Sequence, residues 1–123
     1  MASVRYMVRD AAAARDFYVD LLGFTVVEEH LPAIAIVRRG DLILWLAGPP
    51  SSAGRAMPDG RVSEPGGWNR IVVEVEDIDG TVTRLRTAGA KFRNDIVKGP
   101  GGSQILVEDP SGNAVELFQP RGG

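Results

Sequence analysis

The stretch from Val4 to Gly23, VRYMVRDAAAARDFYVDLLG, decides the architecture, because it returns in altered form from Ile71 to Gly89 as IVVEVEDIDGTVTRLRTAG. In the first copy Val4, Tyr6 and Val8 alternate with Arg5 and Met7, the period-two pattern of a strand that buries one face. Asp10 then stands before Ala11 to Ala14, where its carboxylate can accept the unpaired N–H groups of a first helical turn. The helix is expected to run to about Leu22, with Phe17, Leu21, Ala13 and Ala14 as its buried stripe and Gly23 as its stop. In the second copy Ile71, Val73 and Val75 form the strand face, Asp77 is the cap, Val82, Leu85 and Ala88 mark the helix, and Gly89 ends it. Asp10 and Asp77 are 67 positions apart and Gly23 and Gly89 are 66 apart, so the repeat holds in register over a strand and a whole helix.

Three further strand-like runs follow each copy. After the first they are 24–28, 33–37 and 42–46, with Arg38-Arg39-Gly40-Asp41 inviting a hairpin; after the second they are 92–96, 104–107 and 114–118. Between the copies lies AGPPSSAGRAMPDGRVSEPGGWN, a connection crowded with Gly, Pro and Ser and without any sustained period. The reading is an α+β fold of two tandem βαβββ modules, at 3–46 and 70–120, joined by the 47–69 connection within one domain of residues 1–123. A lone module of about 60 residues buries too little surface to be stable unaided, so the two are expected to share their burial.

Strand parity sorts the side chains. If Val4, Tyr6 and Val8 pack on the first helix, Ser3, Arg5 and Met7 look the other way, as does Trp45 if Leu42 and Leu44 face inward. By the same argument Arg70, Val72 and Glu74 share a face with Glu116 and Phe118, provided Val115 and Leu117 are covered by the second helix. A wall bearing Arg5, Arg70, Glu74 and Glu116 beside Trp45 and Phe118 reads as a partly wet pocket rather than a dry core, because buried charges need pairing or hydration. Met7 and Val72 would be plain walls of it, and Gln104 a donor or acceptor at its rim. Trp68, next to Gly66-Gly67 at the end of the connection, either caps the pocket or anchors the connection.

Composition excludes several function classes. The 123 residues are 44% hydrophobic and 24% charged, which suits a soluble globular chain, and the net charge of -2 offers no basic field for a phosphate backbone. The absence of Cys removes thiolate nucleophiles and thiolate metal sites, and the single histidine, His30, removes every His-pair zinc motif. His30 itself, with no organising partner nearby in the sequence, reads as structural or solvent-facing. The run Gly99-Pro100-Gly101-Gly102 is flanked by strands rather than opening a helix, so it lacks the helix N-terminus of a phosphate loop. Residues 109–113, DPSGN, read as a turn. No apolar stretch approaches the roughly 20 residues of a membrane span, and a cytoplasmic location is expected, with neither membrane nor nucleic acid as partner.

The opening RDFYVDLLGF and the closing EDPSGNAVELFQP, with the internal repeat between them, resemble the vicinal oxygen chelate superfamily of glyoxalase I, bleomycin-resistance proteins and extradiol dioxygenases. The resemblance covers nearly the whole chain outside 47–69. It implies that the paired modules curl into an incomplete barrel around a cleft and that the chain forms a homodimer whose two copies border the pockets. It also implies, in the metal-dependent members, a divalent cation held by a His or Gln on each opening strand and a Glu on each last strand. Carried onto this chain those positions are Ser3, Arg70, Trp45 and Glu116, of which Glu116 alone keeps a ligating side chain, while Arg70 would repel a cation.

No metal and no cofactor are therefore expected. The leading expectation is a metal-independent small-molecule binding protein that sequesters an aromatic or amphipathic compound. Its contacts would be Arg5, Met7, Trp45, Arg70, Val72, Glu74, Gln104 and Phe118. The alternative is a glyoxalase- or dioxygenase-like enzyme with Glu116 as catalytic general base or with a relocated metal site built from Glu74 and Glu116.

Overall fold

The computed structural model describes residues 2–122; the two ends of the expected 1–123 domain, Met1 and Gly123, lie outside the described residues. The chain divides into two compact units, Met1–Gly66 and Gly67–Gly123. The division falls between two glycines with φ of 111° and 88°, backbone that side-chain-bearing residues rarely adopt, near the end of the Gly/Pro/Ser-rich connection.

The first unit contains β1 (Ala2–Met7), α1 (Ala11–Asp16), β2 (Thr25–His30), β3 (Ile34–Arg39) and β4 (Leu42–Ala47). The sheet order is β1-β4-β3-β2, with β1 parallel to β4 and the other neighbours antiparallel. Asp10 caps α1 by accepting from the N–H groups of Ala12 and Ala13 at 3.0 and 3.1 Å. The helix is not uniform to Leu22 as expected: after Asp16 the backbone widens into a π-helical turn over Phe17–Leu21 before Gly23, at φ 74°, ends it. That turn changes the phase of the buried stripe. Ala14, Phe17, Tyr18 and Leu22 are buried, whereas Ala13 and Leu21 are only partly covered. Tyr18 packs edge-on against both Phe17 and Phe24, with ring centroids 5.1 and 5.4 Å apart. Arg15 ties α1 to β2 through Glu29 at 2.9 Å, and Glu29 first, then Asp16, raises its pKa above the usual guanidinium value.

The second unit contains β5 (Ile71–Glu74), α2 (Ile78–Thr87), β6 (Lys91–Phe92), β7 (Val97–Gly99), β8 (Gly102–Glu108) and β9 (Ala114–Pro120). Its order, β5-β9-β8-β6 with β7 also on β8, repeats that of the first unit: the opening strand lies parallel beside the last. Asp77 caps α2 through the Gly80 N–H, and Gln119 of β9 accepts the Ile78 N–H at 2.8 Å. Gly89, at φ 87°, follows the helix as Gly23 follows its counterpart.

The strand expected over 92–96 is instead interrupted. Asn94 Oδ1 accepts the Leu106 N–H at 2.9 Å, a side chain taking the place of a ladder carbonyl, so β6 stops at Phe92 and pairing resumes only at Val97. The DPSGN segment is the expected turn. Buried Asp109 accepts from the N–H groups of Ser111 and Asn113 and from the Asn113 amide, at 2.9 to 3.0 Å. Among the described residues, no helix is long and apolar enough to cross a membrane.

Candidate functional site

Alternation along β9 builds the site in the second unit. Val115 and Leu117 are fully buried, so Glu116 and Phe118 emerge on the other face of the sheet. Register places Val72 and Leu106 on either side of Glu116, and Glu74 and Gln104 on either side of Phe118. Six side chains of one face are thus fixed by two cross-strand rows. Val72 is half-exposed, Glu74 is exposed, and Gln104, Phe118 and Glu116 are partly covered.

Arg70, immediately before β5, reaches Glu116. Its Nε donates to Oε1 at 3.2 Å, and its Nη2 lies 3.1 Å from the same oxygen. The Glu116 side chain is 12% exposed and that of Arg70 33%, so the pair is partly shielded from water. Because both nitrogens meet Oε1, Oε2 is left without a hydrogen bond among the described residues. Arg70 Nη1 also donates to the Trp68 carbonyl at 3.3 Å, which steers the guanidinium from a second side.

In the first unit the same parity aligns Arg5, Trp45 and Ile36 across β1, β4 and β3, with Glu28 of β2 next in the row. The Arg5 guanidinium lies over the Trp45 ring, 4.7 Å from its centroid. Met7, partly covered, is on the same face at the end of β1, while Ser3 is exposed near its start. His30 ends β2, exposed, and meets Glu28 at 3.3 Å. Arg5, Met7 and Trp45 therefore share a face in one unit; Arg70, Val72, Glu74, Gln104, Glu116 and Phe118 share a face in the other.

Arg93 is the organising residue that strand pattern alone did not mark. Its Nε donates to Glu108 at 2.9 Å, Nη1 to the Gly67 carbonyl at 2.7 Å and Nη2 to the Gly112 carbonyl at 2.9 Å. The guanidinium also stacks on Trp68, 4.6 Å from the ring centroid. No local motif announces such a residue, since two of its three acceptors are main-chain carbonyls 26 and 19 positions away and the third is a carboxylate 15 positions away. The sequence signal was confined to Trp68, at the end of a connection without a period; Arg93 lies inside the run that reads as a strand over 92–96. A separate recess of about 490 Å³, lined by Arg86, Ala90, Phe92, Arg93, Asn94 and Asp95, includes none of the residues of the two sheet faces.

The donor set does not fit the divalent cation of the metal-dependent relatives. Of the four corresponding side chains, Ser3, Trp45, Arg70 and Glu116, one is a fixed cation, one an indole, and the one carboxylate is engaged by the cation. Glu74 and Glu116 lie on adjacent strands, but no third His, Asp or Glu joins them into a metal-holding group among the described residues.

Comparison with known proteins agrees with this architecture. A model of the Glyoxalase/Bleomycin resistance protein/Dioxygenase superfamily matches residues 1–117. A solved antibiotic-binding protein from Streptomyces sp. CB03234, TnmS3, is 26% identical, with 97% of this chain and 93% of that one covered and a TM-score of 0.72. A superfamily member from Sphaerobacter thermophilus is 27% identical over 97% and 95%, with a TM-score of 0.74. A lactoylglutathione lyase from Agrobacterium tumefaciens has the same TM-score of 0.74 over 97% and 92%, and at 22% identity its likeness is one of fold. No curated protein sequence matches the chain. A family match over nearly the whole length, on a repeated βαβββ fold whose two sheets share one strand order, leads to one conclusion: the chain belongs to the Glyoxalase/Bleomycin resistance protein/Dioxygenase superfamily.

Proposed function

We propose that this protein is a metal-independent small-molecule binder that sequesters an aromatic or amphipathic compound in the incomplete-barrel cleft of its family, acting as a cytoplasmic homodimer. The observation that carries this reading is the Arg70–Glu116 pair: the one carboxylate kept at the family's metal positions is neutralised by a guanidinium at another of them. That face then carries a net-neutral ion pair with a spare acceptor, Oε2, flanked by Val72 and Leu106, with Phe118, Gln104 and Glu74 in the next row. Such a surface grips a flat apolar body and one or two polar groups, which is the composition of a small-molecule site. Val72 adds apolar contact on that face, and the first unit presents a flat surface of its own in the stacked Arg5–Trp45 pair, with Met7 on the same face. That the Streptomyces protein TnmS3 binds an antibiotic supports the same class.

Equilibrium titration against a panel of aromatic, cationic and glycopeptide-like compounds tests it. Saturable binding below millimolar to at least one compound is expected. A folded protein that binds none of them contradicts the reading.

One observation favours a second reading. Glu116 Oε2 has no hydrogen bond among the described residues and sits on a partly shielded carboxylate, the position of a general base. In that case the chain is a metal-free lyase or isomerase, and Glu116→Gln abolishes turnover of a substrate whose binding it leaves nearly intact. For a pure binder the same substitution changes affinity alone.

A further inference from the structure

We infer that Trp68 is a prebuilt stacking platform of the Glu116 site and that it selects a planar aromatic ligand carrying an O–H or N–H donor for Glu116 Oε2. The inference rests on the small-molecule binding reading and adds a contact residue and a ligand class to it. Trp68 is 69% exposed, the most exposed of the large hydrophobic side chains among the described residues. Left in water on both faces, so large an apolar ring would carry an unfavourable hydration free energy, and one of its faces is already occupied. Arg93 covers that face at 4.6 Å, and three hydrogen bonds to Glu108, Gly67 and Gly112 hold the guanidinium in place. The Arg93 side chain is 15% exposed, so its stacking surface is rigid where a surface arginine would ordinarily be mobile.

The backbone of Trp68 is held as firmly. Arg93 fixes the carbonyl before it, on Gly67, and Arg70 donates to the carbonyl of Trp68 itself. The same Arg70 guanidinium is the partner of Glu116, so a single planar group joins the backbone of Trp68 to the carboxylate. The Trp68 backbone is thus tied to the Glu116 carboxylate through Arg70, and the indole has a cation behind it and no ring or cation on its other face among the described residues. A cation on one face draws π density toward itself, which favours an electron-rich ring on the other. Holding the ring in advance removes the ordering entropy that a free tryptophan would lose on binding. Oε2 then supplies an acceptor for a donor on the ligand's edge.

The probe is 2-naphthol, which has both the ring and the donor. Decahydro-2-naphthol keeps the hydroxyl without the π system, and 2-methoxynaphthalene keeps the π system without the donor. Affinities are measured by equilibrium titration for wild type, W68A, W68F and R93A, with circular dichroism as the check of fold. Chemical shifts of the Trp68 indole N–H, assigned by its disappearance in W68F, report contact in the wild type. Expected results are saturable binding of 2-naphthol, a shift of the Trp68 indole, affinity weakened about tenfold by W68A and R93A and largely kept by W68F, and weaker binding of both control compounds. Binding of 2-naphthol to wild type with the Trp68 indole unmoved, or with equal affinity in W68A, overturns the platform while leaving small-molecule binding standing. No binding of 2-naphthol overturns the ligand class, and only a failure of every compound in the wider panel overturns small-molecule binding as well. If W68A does not fold, the indole shift and the W68F and R93A affinities decide the matter.

Discussion

Replacing Arg93 by Ala should destabilise the second unit more than any other single surface-accessible substitution in it. The guanidinium makes one charge-assisted bond to Glu108, whose side chain is 28% exposed, and two bonds to main-chain carbonyls, and it stacks on an indole. A bond to a partly exposed carboxylate contributes about 1 kcal/mol after solvent screening, and each carbonyl bond contributes a similar amount net of the water that replaces it. The stacking adds about 0.5 kcal/mol. The truncation therefore costs about 3.5 kcal/mol, equivalent to a fall in melting temperature of roughly 14 °C for a chain of this size. Arg93→Lys keeps the charge, but a single ammonium cannot serve three acceptors arranged around a planar fork, so about 2 kcal/mol of the loss should remain. Urea unfolding followed by far-ultraviolet circular dichroism reads both values, and the double variant R93A/W68A should be less destabilised than the two single variants taken together, since they remove one shared contact. An R93A protein within about 0.5 kcal/mol of wild type, a surface-like effect, refutes the clamp.

Two other substitutions test neighbouring parts of the account. Arg70→Ala strands the partly buried Glu116 carboxylate and should cost about 1–3 kcal/mol in the same urea assay, with most of it recovered when Glu116→Gln is added, because the uncompensated charge is then gone. Asp109→Ala removes three buried hydrogen bonds that fold the 109–113 turn onto itself and should cost about 3 kcal/mol; a loss below about 1 kcal/mol would mean that the turn is held by its backbone alone.

The repeat was readable because its signals are local. Asp10 and Asp77 cap their helices through their own side chains, and Gly23 and Gly89 stand at positive φ, so one short stretch of sequence contains each complete device. Strand parity was readable for the same reason: Leu44 and Leu46 are buried, and Trp45 between them faces the other way beside Arg5. The Arg70–Glu116 contact spans 46 positions, yet the repeat made it accessible to reasoning by placing both residues on one face at matched positions.

What escaped lies where a long-range contact overrides a local pattern. The π-helical turn at Phe17–Leu21 leaves no mark in the spacing of apolar residues, because Phe17, Tyr18, Leu21 and Leu22 satisfy either phase. The gap between β6 and β7 depends on Asn94 meeting a backbone N–H 12 positions later. Arg93 and Trp68 meet across 25 positions of chain, and two of the three acceptors that hold Arg93 are backbone carbonyls, which every residue possesses and no sequence distinguishes.

Metal-free binding of a small molecule, as proposed for the face on which Arg70 neutralises Glu116, makes the chelator and the Glu116 carboxylate the two decisive variables. Isothermal titration of the tightest panel compound into wild type and into Glu116→Gln, each with and without a chelator, tests it most directly. Saturable binding to wild type is expected to be unchanged by the chelator and to be weakened about tenfold or more by Glu116→Gln, through loss of a charged acceptor. Binding that vanishes with the chelator, or that is indifferent to Glu116→Gln, would contradict it.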